Sequence, residues 1–300
     1  MGRYNIYDIL DDIRSDRKKK VIFDTDAKNE VDDQFAIGYA MLSDERLDVL
    51  GFCAAPFING YNSDAAKGME LCYDELLHVK QMVIPDRPMP ILRGSTGYSD
   101  RKAPEHSEAV DFIIRQVRES DERVYLIATG VITNVANALT IAPDIIDKSV
   151  VVWLGTHDYE LPDWNEYNLE QDVDGARLLF DCGVPVVVVP AFGSTDILDI
   201  SRPELDAYLK DKNEFCSYLY EIVGKEIDPG LAARRMLFDI GATATLVTPD
   251  AVLFTVRPSP LLTGMGYSIT DRTRHSVLYA TIRDRQRIFS DMLTKFYTLK

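Results

Sequence analysis

Five carboxylates, Asp24, Asp26, Glu30, Asp32 and Asp33, fall within ten residues directly after the apolar run Val21-Ile22-Phe23. Acids crowded at the end of a buried strand repel one another unless a cation or a network of donors neutralises them. The pattern points to a metal site. Taken singly, Asp32 or Asp33 could instead cap the helix that follows.

Three further segments carry chemistry. Thr129-Gly130 closes an apolar strand and leads into Ile132-Thr133-Asn134; alone it is an ordinary strand-to-helix turn. Glu166-Tyr167-Asn168 follows the run Val150–Leu154, and Asn168 alone would serve as a loop hydrogen bonder. Phe238-Asp239 sits in an apolar helical stretch, where a lone acid is costly without a partner. In open parallel sheets the ligand site lies outside the carboxyl ends of the strands, so such segments can converge.

The elements that must position them follow from periodicity. Apolar runs at Val21–Phe23, Val49–Ala55, Val124–Ala128, Val150–Leu154 and Val184–Val189 alternate with helical patterns at Ser63–His78, 107–118, Asn134–Leu139 and 174–181. A helix follows Asp33 directly, and its positive end would help hold an anionic group. Residues 1–20 read as an N-terminal helical extension, with an amphipathic helix over residues 4–16. Pro85–Pro104 reads as a loop broken by a short strand at Ile91-Leu92. After Pro190 helices dominate, at Pro203–Leu209, Glu214–Val223 and Leu231–Leu246, with strands again at Val252–Val256 and Ser276–Thr281. The expected fold is α/β: an open, mostly parallel, doubly wound sheet with helices on both faces and a helical C-terminal region. No linker or internal repeat interrupts residues 1–300, so one domain is expected.

A net charge of −15 disfavours a nucleic-acid backbone or an anionic membrane as partner, and suits a cation or a neutral small molecule. The cysteines Cys53, Cys72, Cys182 and Cys216 are widely spaced without a CxxC pair, which suggests free thiols and a reducing compartment. With no apolar run long enough to span a bilayer and no signal-like N-terminus, a cytoplasmic protein is expected.

Together the motifs resemble the inosine-uridine-type nucleoside hydrolase family over nearly the whole chain. The residues that carry the resemblance are Asp24-Thr25-Asp26 with Asp32-Asp33, the turn Thr129-Gly130-Val131-Ile132-Thr133-Asn134, Glu166-Tyr167-Asn168, and the late Asp239. The resemblance implies Ca²⁺ held by Asp26, Asp33, the Thr129 carbonyl and Asp239. It implies ribose contacts from Asp32, Glu166, Asn168 and Asp239, with Asn59 as a further sugar candidate and Asp24 as support behind them. Asp26 would be the catalytic base that activates water against the anomeric carbon of a nucleoside. Family members are commonly dimers or tetramers, so a homodimer or homotetramer is expected.

Two departures stand out. Ala27-Lys28-Asn29-Glu30-Val31 is two residues longer than the family's usual Pro-Gly loop, and Asn29 or Glu30 either joins the site or only shapes the turn. Phe238 stands where many members have a histidine that protonates the leaving base. Some purine-preferring relatives instead stack aromatics on the base, and the resemblance implies that Phe238 with Trp164, Tyr159 or Tyr167 could do the same, with a purine preference; taken alone, Phe238 is a core residue. His157 and His106 are the replacement acids to consider, each otherwise a surface histidine. The alternatives are a non-catalytic ribose or nucleoside binder on the same scaffold, and a haloacid dehalogenase-type phosphatase using Asp24-Thr25-Asp26. The second lacks the Gly and Thr/Ser that should follow Asp26.

Overall fold

Strands that are apolar on both faces need helices on both sides, and the chain supplies them. The computed structural model describes residues 4–161, 165–228 and 233–299. Its strands are β1 (Lys19–Thr25), β2 (Leu47–Ala54), β3 (Ile91–Arg93), β4 (Val124–Ala128), β5 (Ser149–Thr156), β6 (Val186–Pro190), β7 (Asp199–Ser201), β8 (Arg234–Met236), β9 (Val252–Pro258), β10 (Leu261–Leu262), β11 (Ser268–Ile269) and β12 (Ser276–Ile282). The helices are α1 (Ile6–Arg14), α2 (Asp33–Met41), α3 (Ala65–Val83), α4 (Glu108–Glu119), α5 (Thr133–Ile141), α6 (Tyr167–Gln171), α7 (Val173–Asp181), α8 (Arg202–Tyr208), α9 (Glu214–Gly224), α10 (Ile240–Val247) and α11 (Arg285–Tyr297).

The main sheet runs β3-β2-β1-β4-β5-β6-β12-β9, parallel except for β9, which lies antiparallel to β12. Alternate side chains feed two cores. Val21, Phe23, Tyr125 and Ile127 pack with α1, α2, α3, α9, α10 and α11 on one face. Ile22, Val124, Leu126 and Ala128 pack with α4, α5 and α7 on the other. The doubly wound α/β expectation holds.

Strand order reverses between β1 and β4, so the chain leaves the two neighbours in opposite directions and opens a crevice at their carboxyl ends. Asp24 pairs in register with Ala128, and the Thr129 amide donates to the Asp24 carbonyl at 3.0 Å. The acidic loop after β1 and the Thr-Gly turn after β4 therefore share one rim.

The C-terminal third departs from expectation. Of the helix expected over Leu231–Leu246, residues 231 and 232 lie outside the described residues, and the rest does not form one element: Arg234–Met236 is strand β8, antiparallel to β7, and α10 starts only at Ile240. Tertiary ion pairs override helix propensity there, because Arg234 reaches Asp199 and Glu204, and Arg235 reaches Glu30 and Glu226. Asp239 consequently lies at the start of a helix, not inside one. Beyond β12, the expected elements end, yet the structure forms the 13-residue helix α11, whose Ile288, Met292 and Phe296 are buried against the core. Among the described residues no helix is long and apolar enough to cross a membrane.

Candidate functional site

Helices α2 and α10 both begin at the crevice, so their positive ends face the same few residues. Asp32 and Asp239 hold the N-cap positions, yet neither side chain caps its helix. The capping interpretation of the acidic pair fails for a physical reason: the carboxylates turn toward one another. Carboxylate oxygens of Asp32, Asp33 and Asp239 lie within 4.8 Å of each other, all three buried.

Each acid has its own anchors. Asp33 Oδ1 accepts from the Thr25 hydroxyl at 2.5 Å and the Thr129 hydroxyl at 3.2 Å. Asp32 Oδ2 accepts the Asp239 amide at 3.3 Å. Asp26 Oδ2 accepts from Asn29 Nδ2 at 2.9 Å. Gly130 is required beneath it, since a Cβ at that position would stand 2.7 Å from Asp26 Cγ. Asp24 lies behind the rim, held by Asn134 Nδ2 at 2.9 Å.

Burial raises every one of these carboxyls. Asp24 is pushed up to about 8 by desolvation. Asp33 rises only to about 6, because threonine hydroxyls oppose its desolvation. Desolvation followed by the charge of acidic neighbours holds Asp26, Asp32 and Asp239 well above the ordinary carboxylate range. A cluster whose charged form is so disfavoured fits a hard dication, which would replace proton by metal at these oxygens. A metal can therefore be held here by the residues present.

The acids floor a cavity of about 260 Å³, also lined by Asn29, Glu30, Thr129, Glu166, Tyr167, Asn168, His157, Phe192 and Phe238. Glu166 caps the short helix α6 by accepting the amides of Asn168 at 2.9 Å and Leu169 at 3.2 Å, and burial pushes its carboxyl up to about 8. Asn168 Nδ2 donates to the carbonyls of Thr129 at 2.9 Å and Leu154 at 3.1 Å. Its Oδ1 is the atom left for a ligand.

The lining brings together Asp26, Asp32, Asp33, Thr129, Glu166, Asn168, Phe238 and Asp239. Asn59 is not among them. It lines the adjoining cavity and donates through Nδ2 to Asn29 Oδ1 at 3.2 Å, so it reaches the site through Asn29 and not by direct contact.

The aromatic wall differs too. Phe238 meets Phe192 edge-on, with centroids 5.4 Å apart, and Phe192 meets His157 at 5.1 Å. Tyr159 packs against Tyr279 with the rings tilted and centroids 5.0 Å apart and does not line the cavity, while Tyr167 lines it with its hydroxyl donating to the Ile58 carbonyl. Trp164 lies outside the described residues. His106 is on the surface beside Asp111, 2.7 Å away, whereas His157 is in the cavity wall. Phe192 was not foreseeable from its own sequence context; its position just beyond the carboxyl end of β6 was the available signal.

Residues 21–289 match the inosine-uridine preferring nucleoside hydrolase family. The chain belongs to this family. Among curated nucleoside hydrolases, a pyrimidine-specific ribonucleoside hydrolase of Escherichia coli is 27% identical, with 57% of this chain and 59% of that protein aligned. The chain thus spans less than two thirds of that relative's length. Two solved nucleoside hydrolases share the fold. A purine-preferring ribonucleoside hydrolase from Gardnerella vaginalis superposes with TM-score 0.76 at 23% identity, covering 94% of this chain and 99% of that one. A plant nucleoside hydrolase gives TM-score 0.76 at 20% identity over 94% and 99% of the two chains.

Proposed function

We propose that this chain hydrolyses the N-glycosidic bond of a ribonucleoside, releasing free base and ribose, with Ca²⁺ at the acidic cluster. The observation that supports it most is the convergence of Asp32, Asp33 and Asp239 in a cavity also lined by Phe192, Phe238 and Tyr167.

In this reading Asp33 and Asp239 of that trio, with Asp26 and the Thr129 carbonyl from the same cavity lining, would hold the cation, and Asp32 is left for the sugar. When bound, it supplies a Lewis acid that acidifies a water molecule and leaves coordination room for sugar hydroxyls. The chain's residues do the rest. Asp26 accepts the proton of the attacking water, and the water oxygen forms its bond to the anomeric carbon as the C–N bond breaks. Asp32, Asp239, Glu166 and the Asn168 carbonyl oxygen orient the ribose hydroxyls. The surrounding carboxylates stabilise the positive charge that develops on the sugar. Phe238 and Phe192 receive the base, and the two edge-on rings offer the larger purine more apolar contact. His157, beside Phe192, is assigned the proton that the departing base takes up.

The test is release of reducing sugar from inosine, guanosine, adenosine and uridine, expected with Ca²⁺ and abolished by EDTA. Intact nucleosides throughout the panel, with bound calcium verified, would refute the reading. Tight calorimetric binding without turnover would instead make the protein a nucleoside binder on this scaffold.

A further inference from the structure

The loop that departs from the family's usual length is held by a residue outside the cavity. Glu75, in the middle of α3, is 4% exposed and is not part of the cavity lining. A buried carboxylate is costly unless donors surround it. Glu75 has three. Its Oε2 accepts from Lys28 Nζ at 3.1 Å, and its Oε1 accepts from Gln34 Nε2 at 3.0 Å and from the Tyr218 hydroxyl.

Two of those donors bracket the acidic loop. Lys28 enters it and Gln34 follows Asp33 directly, so one carboxylate staples both ends of the segment that carries Asn29, Glu30, Asp32 and Asp33. Lys28 adopts φ +82, a left-handed conformation unfavourable for a side chain with a Cβ. Such a conformation persists only when its surroundings hold it. The residue beyond it is Asn29, whose backbone amide donates to the Asp26 carbonyl at 2.9 Å and whose Nδ2 donates to Asp26 Oδ2 at 2.9 Å. Asn59 fixes the other end of that amide, and its own Oδ1 is pinned by the amides of Tyr61 at 3.0 Å and Asn62 at 2.9 Å.

We infer that Glu75 is a positioning residue for the site: it clamps Lys28 and Gln34 so that Asn29 holds the Asp26 carboxylate in the orientation that accepts the proton of the attacking water. The inference rests on the hydrolase reading for its consequence and on the Glu75–Lys28–Gln34 geometry for its cause. Asn29 and Glu30 are thus part of the site, and their loop is not merely a longer turn.

The experiment is a double-mutant cycle with hydrogen exchange, on the full chain. Glu75→Ala is expected to lower kcat about tenfold with KM little changed, on the scale by which small misplacements of catalytic groups cost rate. In the Asn29→Ala background the same substitution should lower kcat less than about twofold, because the group it positions is already gone. Glu75→Gln keeps an acceptor for Gln34 and Tyr218 but offers Lys28 none, so its rate should fall between those of Glu75→Ala and the wild type, as should that of Lys28→Met. Amides of residues 27–34 should exchange faster in Glu75→Ala, with the sheet unchanged. Should Glu75→Ala not fold, Lys28→Met serves in its place, since half of that lysine side chain is solvent-exposed.

Equal losses of kcat in both backgrounds, or wild-type exchange across residues 27–34, would overturn the inference. If the wild-type protein cleaves no nucleoside, localised exchange still supports the clamp, and only the hydrolase reading falls.

Discussion

Asn168 donates both hydrogens of its side-chain amide to main-chain carbonyls, that of Thr129 at 2.9 Å and that of Leu154 at 3.1 Å. One side chain thereby ties the carboxyl ends of β4 and β5 together at the rim of the cavity. It also leaves the Thr129 carbonyl, which has two lone pairs, with one for a cation. A residue expected to bind ribose thus has a structural duty as well, and its substitution will disturb both.

Cation binding should depend on pH in a definite direction. The folded-state carboxyls of Asp33 (about 6), Asp24 (about 8) and Glu166 (about 8) are raised by burial above ordinary carboxylate values. Groups raised in the folded state contribute stability at low pH that is lost as pH rises through those values. The calcium-free protein should therefore lose stability between pH 5 and pH 8 from this source, and Ca²⁺ should restore more at pH 8. Thermal melts in EDTA and in excess Ca²⁺ at both pH values check this; excess ligand at 100 times Kd stabilises by about 2.7 kcal/mol. Equal increments at the two pH values would contradict it.

Asp26→Asn should separate function from stability. Removing the proposed proton acceptor is expected to cut turnover about 10²- to 10⁴-fold. Removing one ionisable acid from this buried cluster should at the same time raise the melting temperature of the EDTA-treated protein, because burial, and after it the charge of Asp33, opposes ionisation of Asp26. A variant that is both inactive and less stable in EDTA would argue against that account of the crowding.

His157 can be tested through the leaving group. Its Nδ1 accepts the Phe192 amide at 3.5 Å, and the ring lines the cavity beside the aromatic wall. His157→Ala should slow nucleoside cleavage about 10²-fold, within the range for a general acid. The 4-nitrophenyl riboside, whose leaving group departs without protonation, should be cleaved at nearly the wild-type rate. Equal loss on both substrates would remove His157 from the proton path.

The Phe192–Phe238 wall should set base preference. Aromatic contacts in edge-on or stacked arrangements contribute about 0.5–1.5 kcal/mol beyond buried area. Phe192→Ala is accordingly expected to lower kcat/KM for inosine about three- to tenfold and to affect uridine less, as measured by initial rates on the two substrates. A larger effect on uridine would reverse the proposed preference.

What the sequence determined by itself was local or repetitive. The β-α alternation fixed a doubly wound sheet, because continuous apolar strands can only be buried between two helical layers. The acids after β1, the Thr-Gly turn after β4 and the Glu-x-Asn segment after β5 could be placed together, because all lie at carboxyl ends of strands in such a sheet. The tertiary structure decided the pairings between distant segments. Ion pairs from β8 to β7 and to the acidic loop broke the helix expected at Leu231–Leu246 and put Asp239 at a helix start. Strand order brought Phe192 to Phe238, and burial of α3 put Glu75 between Lys28 and Gln34. Periodicity records which face a residue turns inward; which partner it meets there is set by the order of strands and the packing of helices, and neither is written in the spacing of residues along the chain.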